Sequence, residues 1–105
     1  MPFTGNEGGS IDISIAAAQI QEFKKEFPNL KTATFLGREI IEAILAQENC
    51  VGIRFYYGYK NESGENNLIL VGADSDENDL VEGIIGNHGL SCPPSCSIPN
   101  DLNGF

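Results

Sequence analysis

No lysine or arginine follows Lys60. All six bases lie within residues 1–60 beside seven acids, whereas residues 61–105 hold eight acids and no base, so the net charge of −9 is concentrated in the second half. Nucleic acid and anionic membrane are bound through clustered cations. The second half supplies none, and the first offers only Lys24, Lys25 and Lys31 close together. Direct nucleic-acid binding and membrane binding are therefore not expected. An acidic chain could still occupy the basic site of a partner as an inhibitor, although small acidic proteins mostly use charge for solubility.

Histidine is nearly absent as well: His88 is the single one. Common hydrolytic sites pair a nucleophile with a histidine base, and no Gly-x-Ser-x-Gly elbow is present. A phosphate-binding glycine loop, a dinucleotide fingerprint and a His-Glu-x-x-His metal helix are also missing. With fifteen acids some carboxylates must lie close together, which makes such proximity uninformative. The expectation is a non-enzymatic protein without a cofactor. No stretch approaches the ~18 uninterrupted apolar residues of a membrane span. The opening MPFTGNEGGS has neither the basic nor the apolar region of a secretory signal, which points to a cytoplasmic, soluble protein.

The 105 residues suffice for one domain, and 41% hydrophobic with 20% charged residues is a folding composition. Residues 1–10, with three glycines, read as a flexible arm, residues 11–87 as a single α+β domain, and residues 88–105 as an irregular Cys- and Pro-containing tail. Ile13, Ala16, Ala17, Ile20, Phe23 and Phe27 recur at helical steps, so a first helix is expected over 13–27, capped by Asp12 or Ser14 and stopped by Pro28. Leu36, Ile40, Ile41, Ile44 and Leu45 form a second helical stripe, with Thr34 as N-cap and Glu39, Glu42 and Gln47 toward solvent. Gly37 in its first turn suggests a close helix–helix contact.

CVGIRFYYGYK and NLILVGAD flank a polar loop containing Gly64, which predicts an antiparallel β-hairpin with strands over 50–59 and 67–73. Period two places Val51, Ile53, Phe55, Tyr57 and Tyr59 on one face, assigned to the core, and Gly52, Arg54, Tyr56, Gly58 and Lys60 on the other. Leu80, Val81, Ile84 and Ile85 read as a short third helix. The expected fold is thus α+β: a helix–helix unit packed on an antiparallel β-hairpin, with a short third helix and an irregular C-terminal tail. The expected core comprises Ile20, Phe23, Ile40, Ile44, Ile53, Phe55, Leu68 and Leu70. About 75 ordered residues bury only ~60–65% of their unfolded surface, and a two-stranded sheet would benefit from a partner strand. A protein partner, self or other, and a homo-oligomer follow as expectations.

Asp74-Ser75-Asp76-Glu77-Asn78-Asp79 opens like a calcium loop but has Asp79 where the turn glycine belongs and Ile85 where a bidentate Glu closes the site. These acids are better read as capping the helix expected after them. The three cysteines and one histidine offer a more specific pattern. Cys50, His88, Cys92 and Cys96 make a Cys₃His set of the kind that holds structural zinc, with a Cys-x₃-Cys spacing in place of the stronger Cys-x₂-Cys. A Cys92–Cys96 disulfide across the Pro-Pro turn, or unpaired thiols, are preferred to that metal site. For partner binding, Arg54 and Tyr56, flanked by Gly52 and Gly58, are the candidates, because Arg and aromatic residues most often anchor interfaces. The competing reading pairs Arg54 with a nearby acid.

The run from Phe35 to Asp79, with FLGREIIEAILAQ, CVGIRFYYGY, NLILVGAD and NDL, followed by CPPSC, resembles a set of uncharacterised small bacterial proteins that share this order of segments. The similarity includes Arg54 and Tyr56. It implies a self-contained domain and carries no activity or cofactor.

Overall fold

The computed structural model describes residues 2–103. In chain order it contains α1 (Ile13–Glu26), β1 (Ala33–Phe35), α2 (Arg38–Leu45), β2 (Gly52–Lys60), β3 (Glu65–Ala73), β4 (Ile85–Gly86) and β5 (Leu90–Cys92). The class is α+β, with two helices and two antiparallel sheets.

The hairpin forms where β-prone residues flank the Gly64 turn. Its register runs from Gly52 opposite Ala73 to Lys60 opposite Glu65, and Gly64 takes the positive φ of 71° that a side chain would resist. β3 is the central strand of the sheet β2-β3-β4, with Leu70 and Val71 opposite Gly86 and Ile85. Leu70, Val71, Gly72 and Ala73 are all buried, so this end of β3 is covered on both faces. α2 lies against β2, β3 and β4, with the Ile44 side chain fully buried. Gly86 makes that approach possible: a Cβ there would stand 3.1 Å from Ile44 Cδ1 and 3.4 Å from Leu70 Cβ.

The expected third helix is not formed. Gln47, placed toward solvent by the sequence pattern, is half-buried: its side-chain amide donates to Ile44 O at 2.9 Å and its Oε1 accepts from the Ile84 N–H at 2.8 Å. Leu80 N–H donates to Gly72 O, and Ile85–Gly86 joins the edge of β3. Sheet and side-chain partners thus take the backbone groups that a helix over 80–85 would have used internally, and Gly83 leaves room for the Gln47 amide.

Nor is the tail irregular from its start. Ala33, Thr34 and Phe35 pair with Cys92, Ser91 and Leu90, so Thr34 is a strand residue and the N-cap of α2 is Gly37. Nothing approaches Gly37 within contact distance of a Cβ, which removes the close helix–helix contact expected there. α1 buries none of its residues and faces the hairpin across a cleft instead of forming a packed pair with α2. The N-terminal arm is anchored as well: Phe3 N–H donates to Ser75 O at 2.9 Å, and its ring lies 5.2 Å from the Arg54 guanidinium.

The buried apolar side chains among the described residues are Ile44, Leu70, Val71 and Ala73. Ile20, Phe23, Ile40, Ile53 and Leu68 are half-buried, and Phe55, assigned to the core by its period, is 53% exposed. Of the face expected to be core, Val51 and Ile53 are half-buried, while Phe55, Tyr57 and Tyr59 are exposed because α2 covers only part of it. Ile44→Ala or Leu70→Ala should cost ~2–5 kcal/mol in urea denaturation. Ile98→Ala, at an exposed position, should stay within ~0.5 kcal/mol of the parent.

Candidate functional site

The two faces of β2 differ in what they meet. On the even-numbered face, Arg54 and Tyr56 both reach Asp79, which stands in the bridge that Asp79 makes with Ala73 at the end of β3. Arg54 Nη1 donates to Asp79 Oδ1 and, at 3.2 Å, to Glu77 O, while the Tyr56 hydroxyl donates to Asp79 Oδ2 at 2.5 Å. One carboxylate thus joins the sheet to loop 74–79. The loop is closed internally by Asp74, whose carboxylate accepts the N–H groups of Asp76 and Asn78, each at 3.0 Å. These acids shape the loop rather than cap a helix.

Arg54 and Tyr56 are therefore brought together, and the pairing of Arg54 with an acid is the arrangement observed. The Tyr56 hydrogen bond is the largest influence on the Asp79 carboxyl and, with Arg54, holds it below its ordinary value against the opposing effect of lost hydration. The same bond to Asp79 pushes the Tyr56 phenol up.

The odd-numbered face and the outer edge of β2 are open. Tyr57 is 92% exposed, Tyr59 62%, and Phe55 53%, forming a row of aromatic rings on a nine-residue strand. β2 stands at the end of the sheet order, so its outer edge carries no ladder among the described residues. The sequence pattern located these residues but assigned them to the core, because alternation reports a shared face and not how far a covering helix extends.

The Cys/His set is not assembled. Cys50 sits beside Gly72 and Gln47 at the α2–β3 junction, its Sγ 3.2 Å from Gly52 O. Cys92 lies in β5 of the other sheet and is disulfide-bonded to Cys96. His88 is an exposed loop residue with a φ of 63°. Among the described residues no three His, Cys, Asp or Glu side chains converge as a metal site. Of the bases expected to lie together, Lys31 is engaged: its ammonium donates to Pro93 O at 2.9 Å and pairs with Glu65 at 3.7 Å. Its backbone exchanges two hydrogen bonds with the Asn66 side chain, tying the segment before β1 to β3.

A cleft of about 420 Å³ separates α1 from the hairpin, lined by Ile20, Phe23, Leu30, Tyr57 and Leu68 with polar groups such as Thr32 and Asn67 among them. No helix among the described residues is long and apolar enough to cross a membrane. No protein-family model, curated protein or solved structure matches the chain.

The Asp79 cluster has a defined pH dependence. A carboxyl held low in the folded state stabilises it above the unfolded carboxylate value, and that contribution is lost as pH falls through the lowered folded value. A phenol held high stabilises below its ordinary value and loses its contribution as pH rises through the raised one. Unfolding monitored across pH should show both limbs, and Asp79→Asn should weaken the acid limb and lower the midpoint at neutral pH.

Breaking the Cys92–Cys96 bridge should cost no more than about 2 kcal/mol, because it closes a very short loop. Cys96→Ser should accelerate amide exchange in 90–103 while leaving β2 and β3 protected.

Proposed function

We propose that the chain is a non-enzymatic protein-interaction or assembly module that works through β2. The observation that carries this reading is the unpaired nine-residue edge of β2 with Phe55, Tyr57 and Tyr59 standing open beside it. A long edge strand without proline is a template for a further strand, and proteins normally blunt such edges with charge, bulges or a cover. The opposite side of the sheet follows that habit, since β4 contributes only two residues. Aromatic rings carry large apolar area at small rotameric cost and recur in interface centres. The backbone edge would supply affinity and the rings specificity, as in strand addition generally.

This moves the interacting surface from the Arg54/Tyr56 face to the other face and edge of the same strand. Arg54 and Tyr56 serve the interface indirectly, by fixing the strand through Asp79. The acidic-inhibitor reading has less support, because Asp74 and Asp79 are committed to internal hydrogen bonds. The Cys92–Cys96 bridge favours a supplementary role for thiol chemistry, stapling the tail.

Cross-linking and co-purification of the full chain from its own cells, compared with a Tyr57→Lys, Tyr59→Lys double variant, test the reading. The parent should associate, with itself or another protein. The double variant should lose that association while keeping the parent's circular dichroism and melting temperature. Association unaffected by the two substitutions, or none in the parent, would overturn the proposal.

A further inference from the structure

The sequence of β2 is suited to pairing with itself. From the open edge, the aromatic row and the charge pattern, we infer that the occupant of the β2 edge is β2 of a second copy, antiparallel about a two-fold axis through Tyr56. This inference rests on the assembly reading above and names its partner.

Two identical antiparallel strands keep matching faces only when the axis passes through a residue, since opposed residues must share parity. Tyr56 is the midpoint of Gly52–Lys60, so this axis centres the pairing on the strand, with the N-terminal arm beside Gly52–Arg54 at its ends. It sets Phe55 opposite the second copy's Tyr57 and Ile53 opposite its Tyr59, which makes every pair on the open face apolar or aromatic. Such cross-strand pairs are the stabilising units of a sheet.

On the other face Arg54, whose guanidinium is held within its own chain by Asp79, falls opposite Gly58, and Lys60 falls opposite Gly52, so no like charges are opposed. Shifting the axis to Tyr57 would engage only residues 54–60 of the strand. No acid lies on β2, so the chain's net charge of −9 is not opposed across this edge.

The contact would consist of two backbone edges and the lateral contacts between neighbouring rings, at the small end of specific interfaces. The resulting sheet would run β4-β3-β2 into β2-β3-β4 of the second copy, removing the long open edge from both.

The test uses the purified full chain. Sedimentation equilibrium should give the mass of two chains, and Tyr57→Lys should raise the dissociation constant at least about 30-fold, the loss expected of a central interface residue. Register is read by disulfide trapping in a Cys50→Ser background. A Phe55→Cys chain mixed with a Tyr57→Cys chain should cross-link between copies under mild oxidation. Neither should cross-link efficiently alone, because each position is then two pairs away from its own copy, beyond the ~7 Å a disulfide can span.

A monomer at every concentration, or cross-linking of either single variant with itself as readily as in the mixture, would overturn this pairing. Monomeric mass together with Tyr57-dependent capture of a different protein would overturn self-pairing and leave the module reading standing. Monomeric mass with no Tyr57-dependent capture would remove both.

Discussion

Burial at the C-terminal end of β3 is the constraint on which the remaining structure depends. Leu70, Val71, Gly72 and Ala73 are enclosed by β2 on one side, β4 and the Asp79 bridge on the other, and α2 over the Leu70 face. Each covering piece reaches that place because a small residue or a polar side chain admits it. Gly86 lets Ile44 descend onto Leu70, and Gly72 leaves space for Cys50 and Gln47. Gln47 then holds the 80s segment by its Ile84 N–H. Larger residues at Gly72 or Gly86 would have to displace the neighbours that close the core, so glycine here is a packing requirement and not a conformational one.

Electrostatics completes what the thin core begins. Loop 74–79 carries four of the chain's fifteen acids and would repel itself if left extended. Asp74 binds backbone N–H groups inside the loop, and Asp79 takes both Arg54 and Tyr56 from β2. The second half has no base of its own, so the cation that neutralises Asp79 has to come from the first. That explains the strand position of Arg54 better than solubility does. Lys31 plays a comparable part at the other end of the molecule, where it meets Pro93 and Glu65.

Local periodicity made the hairpin, both helices and the shared face of Ile53, Phe55 and Tyr57 legible, since each depends on residues close together in the chain. What periodicity could not reveal depended on distant partners. Ala33–Phe35 is three residues long and exists as a strand because Leu90–Cys92 returns to it. LVEGIIG fits a helix by spacing, yet the edge of β3 and the Gln47 amide compete for its backbone and prevail. For the site, Arg54 and Tyr56 were visible as an unusual pair, and the acid that claims them was one of fifteen with no local mark to distinguish it. The Cys/His set was complete as a composition and dispersed as a geometry, because Cys50 lies in the segment between α2 and β2 and Cys92 in β5.

The open aromatic row follows from lengths alone. An eight-residue helix such as α2 spans ~12 Å, whereas the nine-residue strands of the hairpin span ~30 Å. Whatever its crossing angle, α2 cannot cover the hairpin from Gly52 to Lys60, and it is seated at the Leu70 end. α1 is long enough to cover the remainder but stands across a cleft from Tyr57 and Leu68 without burying a residue of its own. Phe55, Tyr57 and Tyr59 consequently lie beyond the reach of the chain's own cover. Rings exposed on a paired strand contribute little to the stability of the isolated chain, yet the backbone that carries them is fixed by its ladder to β3, which would lower the entropic cost of the proposed association. The geometry that leaves the intramolecular core small is therefore also the one on which the proposed assembly through β2 rests.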